Sequence, residues 1–423
     1  MKVAVVGAGW AGLAAAVRAT EAGHAVTLIE MAAQPGGRAR ELQIDGLALD
    51  NGQHILIGAY RETLALMRTV GVDIDAAFLR RPLELRYPDG RGLRLPPGPA
   101  ALVFALGVAG AQGWTWRDKL ALLPAAAGWA LAGFRCAPGT SVDALCRALP
   151  PAVRELMIDP LCVAALNTPA PQADAAVLLR VLRDALFGGP GGADLLLPRR
   201  SLGALLPAPA IAWLQARGTA VRLGTRVQTL DASAGRGWQV DGEPFDNVVL
   251  ACSAAEAARL TQAISPNWAA VAQALRYEPI VTVYLQAPGA RLRAPMMALV
   301  EGPDAPAQFA FDHGALGATP GVFAFVISGA QPWVDRGLDA SAAAVLQQAL
   351  QAFPPDTWPQ TPTVLRCVAE KRATFRCVPG LQRPPAAIAP GLVAAGDYVA
   401  GPYPATLEGA VRAGVAALAI AAR

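Results

Sequence analysis

The sequence predicts an α/β fold in which a Rossmann-like domain is interrupted by an α+β domain. Three observations predict this class: an apolar run at residues 3–6 leads into glycines, another covers 25–29, and a third at 391–395 is followed by a helical pattern near the C-terminus. Short apolar runs bounded by glycine are typical of buried strands in a parallel sheet. Because the first and third runs lie at opposite ends of the chain, we expect the second domain to be inserted between them.

The composition excludes several classes of protein. Of the 423 residues, 54% are apolar and 16% are charged, against averages of roughly 45–50% and 25%, so the chain can bury a large core. A net charge of +4 is too small for a dedicated nucleic-acid binder. The six cysteines form no C-x-x-C pair and there are three histidines, so no metal site is expected. The N-terminus lacks a signal-peptide pattern, and we expect a location in the cytoplasm or on the inner face of the cytoplasmic membrane.

The first apolar run opens a dinucleotide-binding unit. Gly7 permits a tight turn, Gly9 lets the backbone approach a pyrophosphate, and Gly12 lets the predicted helix at 11–22 pack closely on the strand. The N-terminus of that helix offers free N–H groups to a phosphate. Glu30 ends the second strand, 21 residues after Gly9, where an acid can bind ribose hydroxyls. The candidate cofactor-binding residues here are Gly7, Gly9, Trp10, Ala11, Gly12 and Glu30.

The next segment indicates which dinucleotide is bound. Gly36-Gly37-Arg38 follows Glu30 closely and resembles the corresponding stretch of the FAD-dependent amine oxidase and carotenoid desaturase superfamily. The resemblance implies FAD, and a domain of the glutathione-reductase/amine-oxidase type. It also implies that Gly37 lets the chain pass the cofactor, and that Arg38 helps to hold the ribose acid and the phosphates.

The C-terminal region is similar to the same superfamily. The resemblance implies that Asp397, after Gly396, binds a ribitol hydroxyl and that Thr406 and Leu407 begin a helix aimed at the flavin ring. Residues 220–223, 226–230 and 245–251 read as strands. The resemblance to the superfamily implies that Val227 packs on adenine. The FAD domain is therefore expected to be discontinuous, over 1–80, 200–265 and 385–423. No cysteine lies between Asp397 and Glu408 to attach the flavin there, so we expect non-covalent FAD.

The remaining segments, 81–199 and 266–384, form the predicted substrate domain. It contains two uncharged runs, 95–116 and 120–134. Prolines and glycines interrupt the first, so it does not predict a transmembrane span. Two alternatives remain open: buried core helices, or an apolar helical pair over about 95–134 that dips into one membrane leaflet, which we favour. The residues that suit an interface are Trp114, Trp116, Trp129, Arg117, Lys119 and Arg135.

Five further stretches resemble the squalene-associated FAD-dependent desaturases, the hydroxysqualene dehydroxylase family. They are residues 50–60, 159–169, 277–285, 370–375 and 403–409. The resemblance implies reduction of hydroxysqualene, a long-chain isoprenoid, to squalene in a bacterial route to hopanoids, with squalene-synthase-like partner enzymes. No second G-x-G-x-x-G follows a strand, so no built-in nicotinamide domain is predicted and an external electron donor is needed.

The sequence offers several catalytic candidates. His54 lies in the 50–60 stretch and titrates near neutrality, so it is the first candidate for the acid that protonates a departing hydroxyl. The alternative is a neutral His54 that bonds the backbone near the flavin. Asp50 is either part of this chemistry or a turn or helix-capping residue. Tyr284 and Glu278, both on the predicted strand 277–285, and Tyr403 are weaker candidates.

Other functions stay open at this point. A flavin amine oxidase is the first alternative, because Tyr403 resembles one wall of the aromatic cage in such enzymes. Many of them place a lysine near the flavin, and none of the three lysines, of which Lys371 is the nearest, fits that position. A carotenoid or phytoene desaturase-like enzyme is the next alternative. A non-enzymatic membrane scaffold is disfavoured by the intact glycine, acid and Gly-Asp positions.

Overall fold

The computed structural model describes residues 1–44, 46–96, 98, 100–233 and 235–421. The strands in these ranges are β1 (Lys2–Val6), β2 (Ala25–Ile29), β3 (Glu41–Ile44), β4 (Leu47–Asp50), β5 (Leu56–Ile57), β6 (Phe78–Arg81), β7 (Glu84–Arg86), β8 (Gly92–Arg94), β9 (Leu195–Pro198), β10 (Ala220–Arg222), β11 (Leu230–Ala232), β12 (Trp238–Val240), β13 (Glu243–Phe245), β14 (Asn247–Leu250), β15 (Tyr277–Gln286), β16 (Met296–Ala298), β17 (Phe309–Asp312), β18 (Val322–Ile327), β19 (Thr363–Phe375), β20 (Ala387–Ala389) and β21 (Leu392–Ala394).

The α-helices are distributed along the whole chain. They are α1 (Trp10–Glu21), α2 (Arg61–Thr69), α3 (Ile74–Ala77), α4 (Ala100–Ala109), α5 (Trp116–Leu131), α6 (Val142–Leu145), α7 (Pro151–Val153), α8 (Asp159–Leu166), α9 (Ala175–Phe187), α10 (Leu202–Leu205), α11 (Pro207–Gln215), α12 (Ala254–Thr261), α13 (Pro266–Gln273), α14 (Gln331–Arg336), α15 (Leu338–Ala352) and α16 (Leu407–Ala421). A π-helical turn at Arg154–Ile158 joins α7 to α8, and Pro355–Thr357 forms a 3₁₀ turn.

A six-stranded sheet forms the first unit, in the order β10-β2-β1-β14-β21-β20. Its first five strands are parallel, and β20 runs antiparallel at the edge. All six strands come from the segments 1–80, 200–265 and 385–423. The apolar residues of β1 therefore pair with strands that lie near both ends of the chain, as the predicted Rossmann-like fold requires.

Helices α1 and α16 pack closely against each other beside this sheet. Alanine and glycine make the approach possible: a Cβ on Gly414 of α16 would overlap the carbonyl oxygen of Ala11 in α1. The first turn of α1 is equally close to the turn before it, because a Cβ on Gly12 would overlap the carbonyl oxygen of Gly7. These contacts fix where the N-terminus of α1 lies relative to the sheet.

A five-stranded antiparallel sheet forms the second unit, in the order β16-β17-β18-β15-β19. Successive side chains of each strand point to opposite faces of this sheet. Phe323 and Phe325 of β18 pack with Val345 and Ala349 of α15 in one apolar cluster. Phe309 and Phe311 of β17 belong to a different cluster, on the opposite face. That opposite face is the one turned towards the first unit.

The predicted fold class is confirmed, and so are the strands at 3–6, 25–29 and 277–285 and the first helix, which begins one residue earlier than predicted. The predicted strand at 226–230 is wrong, because only Leu230 enters a strand. The Asp241 carboxylate accepts from the backbone N–H groups of Gln228 and Thr229, both at 2.8 Å. The Arg259 guanidinium binds the carbonyl oxygens of Val227 and Gln228. Side chains therefore satisfy the backbone groups that a neighbouring strand would bind.

The apolar run 95–116 contains α4, and most of the run 120–134 lies in α5. Within the described ranges, no helix combines the length and the apolar character that a bilayer crossing needs.

The packing at Gly12 gives the first prediction. Gly12→Ala places a methyl group against the Gly7 carbonyl, so we expect the free energy of unfolding to fall by about 3 kcal/mol. Gly128→Ala is the matched control, because Gly128 also lies in a helix and its Cβ would meet nothing within 4 Å. It should be neutral or stabilise the protein by about 0.5–1 kcal/mol. Urea unfolding measures both, and equal effects would contradict the packing argument.

Candidate active site

A cavity of about 480 Å³ lies between the two units. One end is formed where β1, β2, β14 and β21 reach their carboxyl ends, which is where open α/β sheets bind ligands. The other end is formed by α8 and the face of the antiparallel sheet that carries Phe309 and Phe311. The cavity is therefore polar and glycine-rich at one end and apolar at the other.

The glycine-rich turn forms one wall of the polar end. Gly7 has a φ of +108°, and a Cβ there would come within 2.6 Å of the Ala251 carbonyl oxygen. Gly9 lines the cavity, and the nearest described atom to an added Cβ, its chain neighbours aside, would be the Cα of Gly37 at 4.0 Å. Among the described residues no side chain caps the N-terminus of α1, so its first N–H groups remain available to an anion.

Glu30 is held rigidly beside this turn. Its Oε2 accepts from the backbone N–H of Ala8 at 2.7 Å, and its Oε1 accepts from that of Ala32 at 2.8 Å. The carboxylate is 9% exposed and lines the cavity. Each oxygen keeps a lone pair for a hydroxyl group of a ligand.

An ion pair joins the two ends of the chain at this cavity. Arg38 Nη2 donates to Asp397 Oδ1 at 2.6 Å, and Arg38 Nη1 donates to the Ala373 carbonyl at 2.8 Å. Asp397 is 7% exposed, so the pair is largely shielded from water on one side. Burial opposes the charge on Arg38, but the adjacent carboxylate outweighs it and the pKa of Arg38 is raised.

The C-terminal segment supplies the remaining polar wall. A Cβ on Gly396 would strike the ring of Tyr398, whose buried hydroxyl has no hydrogen-bond partner among the described residues. Thr406 lines the cavity, and its Oγ1 accepts from the backbone N–H of Gly409 in the first turn of α16 at 3.0 Å. Two helix N-termini, a glycine cradle and an unpaired buried hydroxyl fit an elongated cofactor that carries phosphates.

Most of the predicted cofactor-binding residues meet at this cavity. Those that line it are Gly7, Gly9, Trp10, Ala11, Glu30, Gly37, Arg38, Val227, Gly396, Asp397, Thr406 and Leu407. Gly12 does not line it, and its role is the helix packing described above. Tyr398 was missed, since a tyrosine after Gly-Asp carries no pattern that distinguishes it from a core residue.

All four residues of the stretch 51–54 line the cavity. Asn51 Nδ2 donates to Glu370 Oε2 at 2.8 Å and so ties this stretch to β19. Gln53 Oε1 lies 3.1 Å from His313 Nε2. Burial lowers the pKa of His313 to about 4, so its neutral ring donates to Gln53. The Gln53 amide nitrogen is thereby left for the cavity, which Gln53 lines.

His54 also lines the cavity, beside Gln53. Its Nδ1 lies 2.7 Å from the carbonyl oxygen of Gly52, which can only accept, so Nδ1 carries the proton. Burial lowers the pKa of His54 below its usual value. The ring is therefore neutral at neutral pH, and its other nitrogen is an acceptor. This arrangement corresponds to the backbone-bonding alternative rather than to a ready general acid.

The structure does not bring the other catalytic candidates to the cavity. Tyr284 is fully buried, and its hydroxyl donates to the backbone carbonyl of Asp50 at 2.9 Å. The Tyr403 hydroxyl donates to Asp184 Oδ2 at 2.5 Å. Neither tyrosine lines the cavity. Asp50 accepts from the backbone N–H of Leu202, the first residue of α10, and so takes the helix-capping role that the sequence left open.

Apolar side chains close the other end of the cavity. They are Val163, Ala164 and Ala165 from α8, Ile280 from β15, Phe309 and Phe311 from β17, and Val326 from β18. Asn167 ends α8 in the left-handed conformation, with φ of +46°, and its Oδ1 accepts from the Gly329 backbone N–H at 2.7 Å. Its amide nitrogen donates to the Glu278 carbonyl at 3.1 Å. Asn167 therefore fixes α8 against the sheet and sets the width of this end.

Lysine is absent from the lining of the cavity within the described residues. Glu370, Arg372 and Thr374 of β19 line it, while Lys371 between them is exposed on the other face of the strand. The arrangement can therefore hold a charged cofactor at one end and an apolar substrate at the other, with no amine close to their junction.

Comparisons with known proteins agree with this geometry. The sequence model of a family described as flavin containing amine oxidoreductase matches residues 10–419. A protein of Rhodopseudomonas palustris named hydroxysqualene dehydroxylase is 29% identical over 448 aligned residues, covering 97% of this chain and 96% of that protein. A probable zeta-carotene desaturase of Synechococcus elongatus is 42% identical over 72 residues, which cover 17% of this chain and 15% of that protein.

The fold is shared with solved structures as well. An oxidoreductase of Methanosarcina mazei aligns with a TM-score of 0.73 and 18% sequence identity, covering 99% of this chain and 100% of that chain. At that identity the likeness shows the fold alone.

Proposed function

The chain belongs to the flavin containing amine oxidoreductases and is a flavin-dependent oxidoreductase; on this premise we propose that it binds FAD non-covalently and reduces hydroxysqualene to squalene in bacterial squalene and hopanoid biosynthesis. The observation that carries the proposal is the division of the cavity into a polar, glycine-rich end and an apolar end. The similarity to a hydroxysqualene dehydroxylase over almost the whole of both chains supports it, since the desaturase similarity covers only a short segment.

The lining of the polar end supports FAD as the flavin. The pyrophosphate would lie at the N-terminus of α1, over Gly9, and the adenosine ribose would bind Glu30. Adenine would pack on Val227, and the ribitol would bind Asp397. The N-terminus of α16 would face the flavin ring, where its dipole stabilises negative charge.

The proposed reaction exchanges a hydroxyl group for hydrogen. A bound reduced flavin would supply the hydride that the allylic carbon gains, the hydroxyl would leave with a proton as water, and an external donor would have to restore the two electrons. The apolar walls, among them Phe309 and Phe311, would keep water from the electron-poor allylic carbon. The Gln53 amide nitrogen, oriented by His313, would donate to the departing hydroxyl.

The proton donor is then a group other than neutral His54. The hydroxyl groups of Tyr60, Tyr277 and Tyr398 are the candidates, because all three side chains line the cavity. An amine oxidase is not favoured by the geometry, since the Tyr403 hydroxyl binds Asp184 and that ring does not line the cavity.

The reaction itself is tested by a single turnover. Anaerobic mixing of the reduced protein with hydroxysqualene should reoxidise the flavin and yield one squalene for each flavin, because the hydride and the hydroxyl are exchanged one for one. Absorbance and lipid extraction measure the two yields. Reoxidation only after air is admitted, with hydroxysqualene recovered unchanged, would refute the proposed reaction.

Cofactor binding is tested at Glu30. Glu30→Ala removes a charged acceptor, so FAD affinity should fall by the equivalent of about 1.5–3 kcal/mol, roughly 10- to 150-fold in Kd. Glu21→Ala is the control, because Glu21 is exposed and pairs with Arg18 on the surface. Titration of the apoprotein with FAD gives both constants. Denaturation should release the flavin, and flavin retained on the denatured chain would contradict non-covalent binding.

The role of His54 is tested by substitution and pH. We expect His54→Ala to weaken flavin binding and shift the flavin spectrum, with turnover within about 10-fold of normal once FAD is saturating, because the neutral ring only holds the backbone at Gly52. If His54 were the acid, turnover would rise as the pH falls through its lowered pKa, and His54→Ala would remove that rise and slow turnover about 10²–10⁴-fold. His24→Ala, outside the cavity, is the control.

A further inference from the structure

We infer that the outward side of α5 seats the protein on an anionic lipid bilayer. Its outer face, defined as Trp116, Leu120, Pro124, Ala127 and Leu131, is exposed at every position. These residues recur at intervals of three or four, so they form one stripe along the helix. Trp116 is 71% exposed, Leu120 64% and Leu131 90%.

The opposite side of α5 is also apolar. Leu122 is fully buried, and Leu123 and Trp129 pack against the core. A helix on the surface of a protein in water normally turns polar residues outward, and one that is apolar all round is covered by protein or lipid. The sequence left open whether these helices are buried in the core or face a membrane. For α5 each alternative applies to one side, because its inner side is buried in the core and its outer side is exposed.

Helix α4 extends the apolar surface. Leu102 and Leu106 are 55% and 50% exposed, one turn apart, and α4 packs against α5. Of the twelve large apolar side chains that are exposed within the described residues, five lie on these two helices. Scattered surface leucines need no explanation, but this concentration does. Trp114 is buried and Phe104 is half-buried, so neither belongs to the surface, contrary to the expectation for Trp114.

The charges around the outer face of α5 select an anionic partner. Arg117 and Lys119 lie at its first turn and Arg135 follows its last, while Asp118 is the one acid, which gives 3 − 1 = +2 over 116–135. Asp118 is bound to the backbone and hydroxyl of Thr115, which caps the helix. The Lys119 ammonium lies 5.0 Å from the Trp116 ring centroid. Cations beside exposed aromatic and aliphatic groups suit anionic headgroups above an apolar interior.

The surface is connected to the cavity through packed helices. Helix α9 packs against both α4 and α8, and α8 forms one wall of the apolar end. The connection matters for substrate access, an argument that rests on the proposed function. The proposed substrate, a C30 isoprenoid, dissolves in membranes rather than in water. A bilayer at α4 and α5 would present such a substrate close to the wall that receives it.

Flotation with vesicles tests the inference on the flavin-loaded full chain. Wild-type protein should float with phosphatidylcholine vesicles that contain phosphatidylglycerol, and less with phosphatidylcholine alone. Leu120→Ser/Leu131→Ser should lower the partition coefficient about ten-fold, because two exposed apolar groups are removed. Leu338→Ser/Leu350→Ser is the matched control, since both leucines are exposed outside this surface. Flavin absorbance verifies that each variant is folded.

The outcomes separate this inference from the proposed function. Equal flotation of the two double variants, or no flotation of wild type, overturns the lipid surface. A wild-type dimer in ultracentrifugation that Leu120→Ser/Leu131→Ser makes monomeric, without flotation, would assign the face to a second copy instead. Turnover of hydroxysqualene in detergent should be unchanged in Leu120→Ser/Leu131→Ser. The two proposals can also fail separately. If wild type floats, the Leu120→Ser/Leu131→Ser variant does not, and wild type shows no turnover, the lipid surface is supported and only the proposed reaction is refuted.

Discussion

The close approach of α1 to the turn that precedes it is the constraint on which the polar end of the cavity depends. Gly12 has no room for a Cβ against the Gly7 carbonyl, and Gly414 has none against Ala11. These two contacts set the positions of α1 and α16 on the sheet. The N-termini of both helices face the cavity. One added methyl group at either contact would therefore displace the helix ends that are proposed to bind phosphate and flavin.

The sequence predicted those parts of the structure that depend on backbone conformation. The glycine turn, the buried strands and the acid after β2 all follow from short patterns, and nearly all of the residues they predicted line the cavity. Patterns of this kind work because strand, turn and helix are formed by neighbours in the chain. The Asn-Gly-Gln stretch was recognised by resemblance, yet the individual roles of Asn51 and Gln53 emerged only from their contacts.

Side-chain partners far apart in the chain could not be predicted. Tyr284 binds the carbonyl of Asp50 across 234 residues, and Tyr403 binds Asp184 across 219. A tyrosine on an alternating strand has the same pattern whether its hydroxyl meets a ligand or a carbonyl. The strand predicted around Val227 is wrong for the same reason. Asp241 and Arg259, which are distant in the sequence, bind the backbone groups that strand pairing would otherwise use.

The order of the strands also affects how the protein folds during synthesis. β1 lies between β2 and β14, and β14 must pair with β21 before the centre of the sheet is complete. About 240 residues separate β1 from β14, so at roughly 5–20 residues per second the ribosome needs about 12–48 s to deliver the partner. Throughout that time one edge of an apolar strand has no neighbour, and unpaired edges promote aggregation. A chain built in this way depends on protection of its N-terminal segment long before its cofactor site exists.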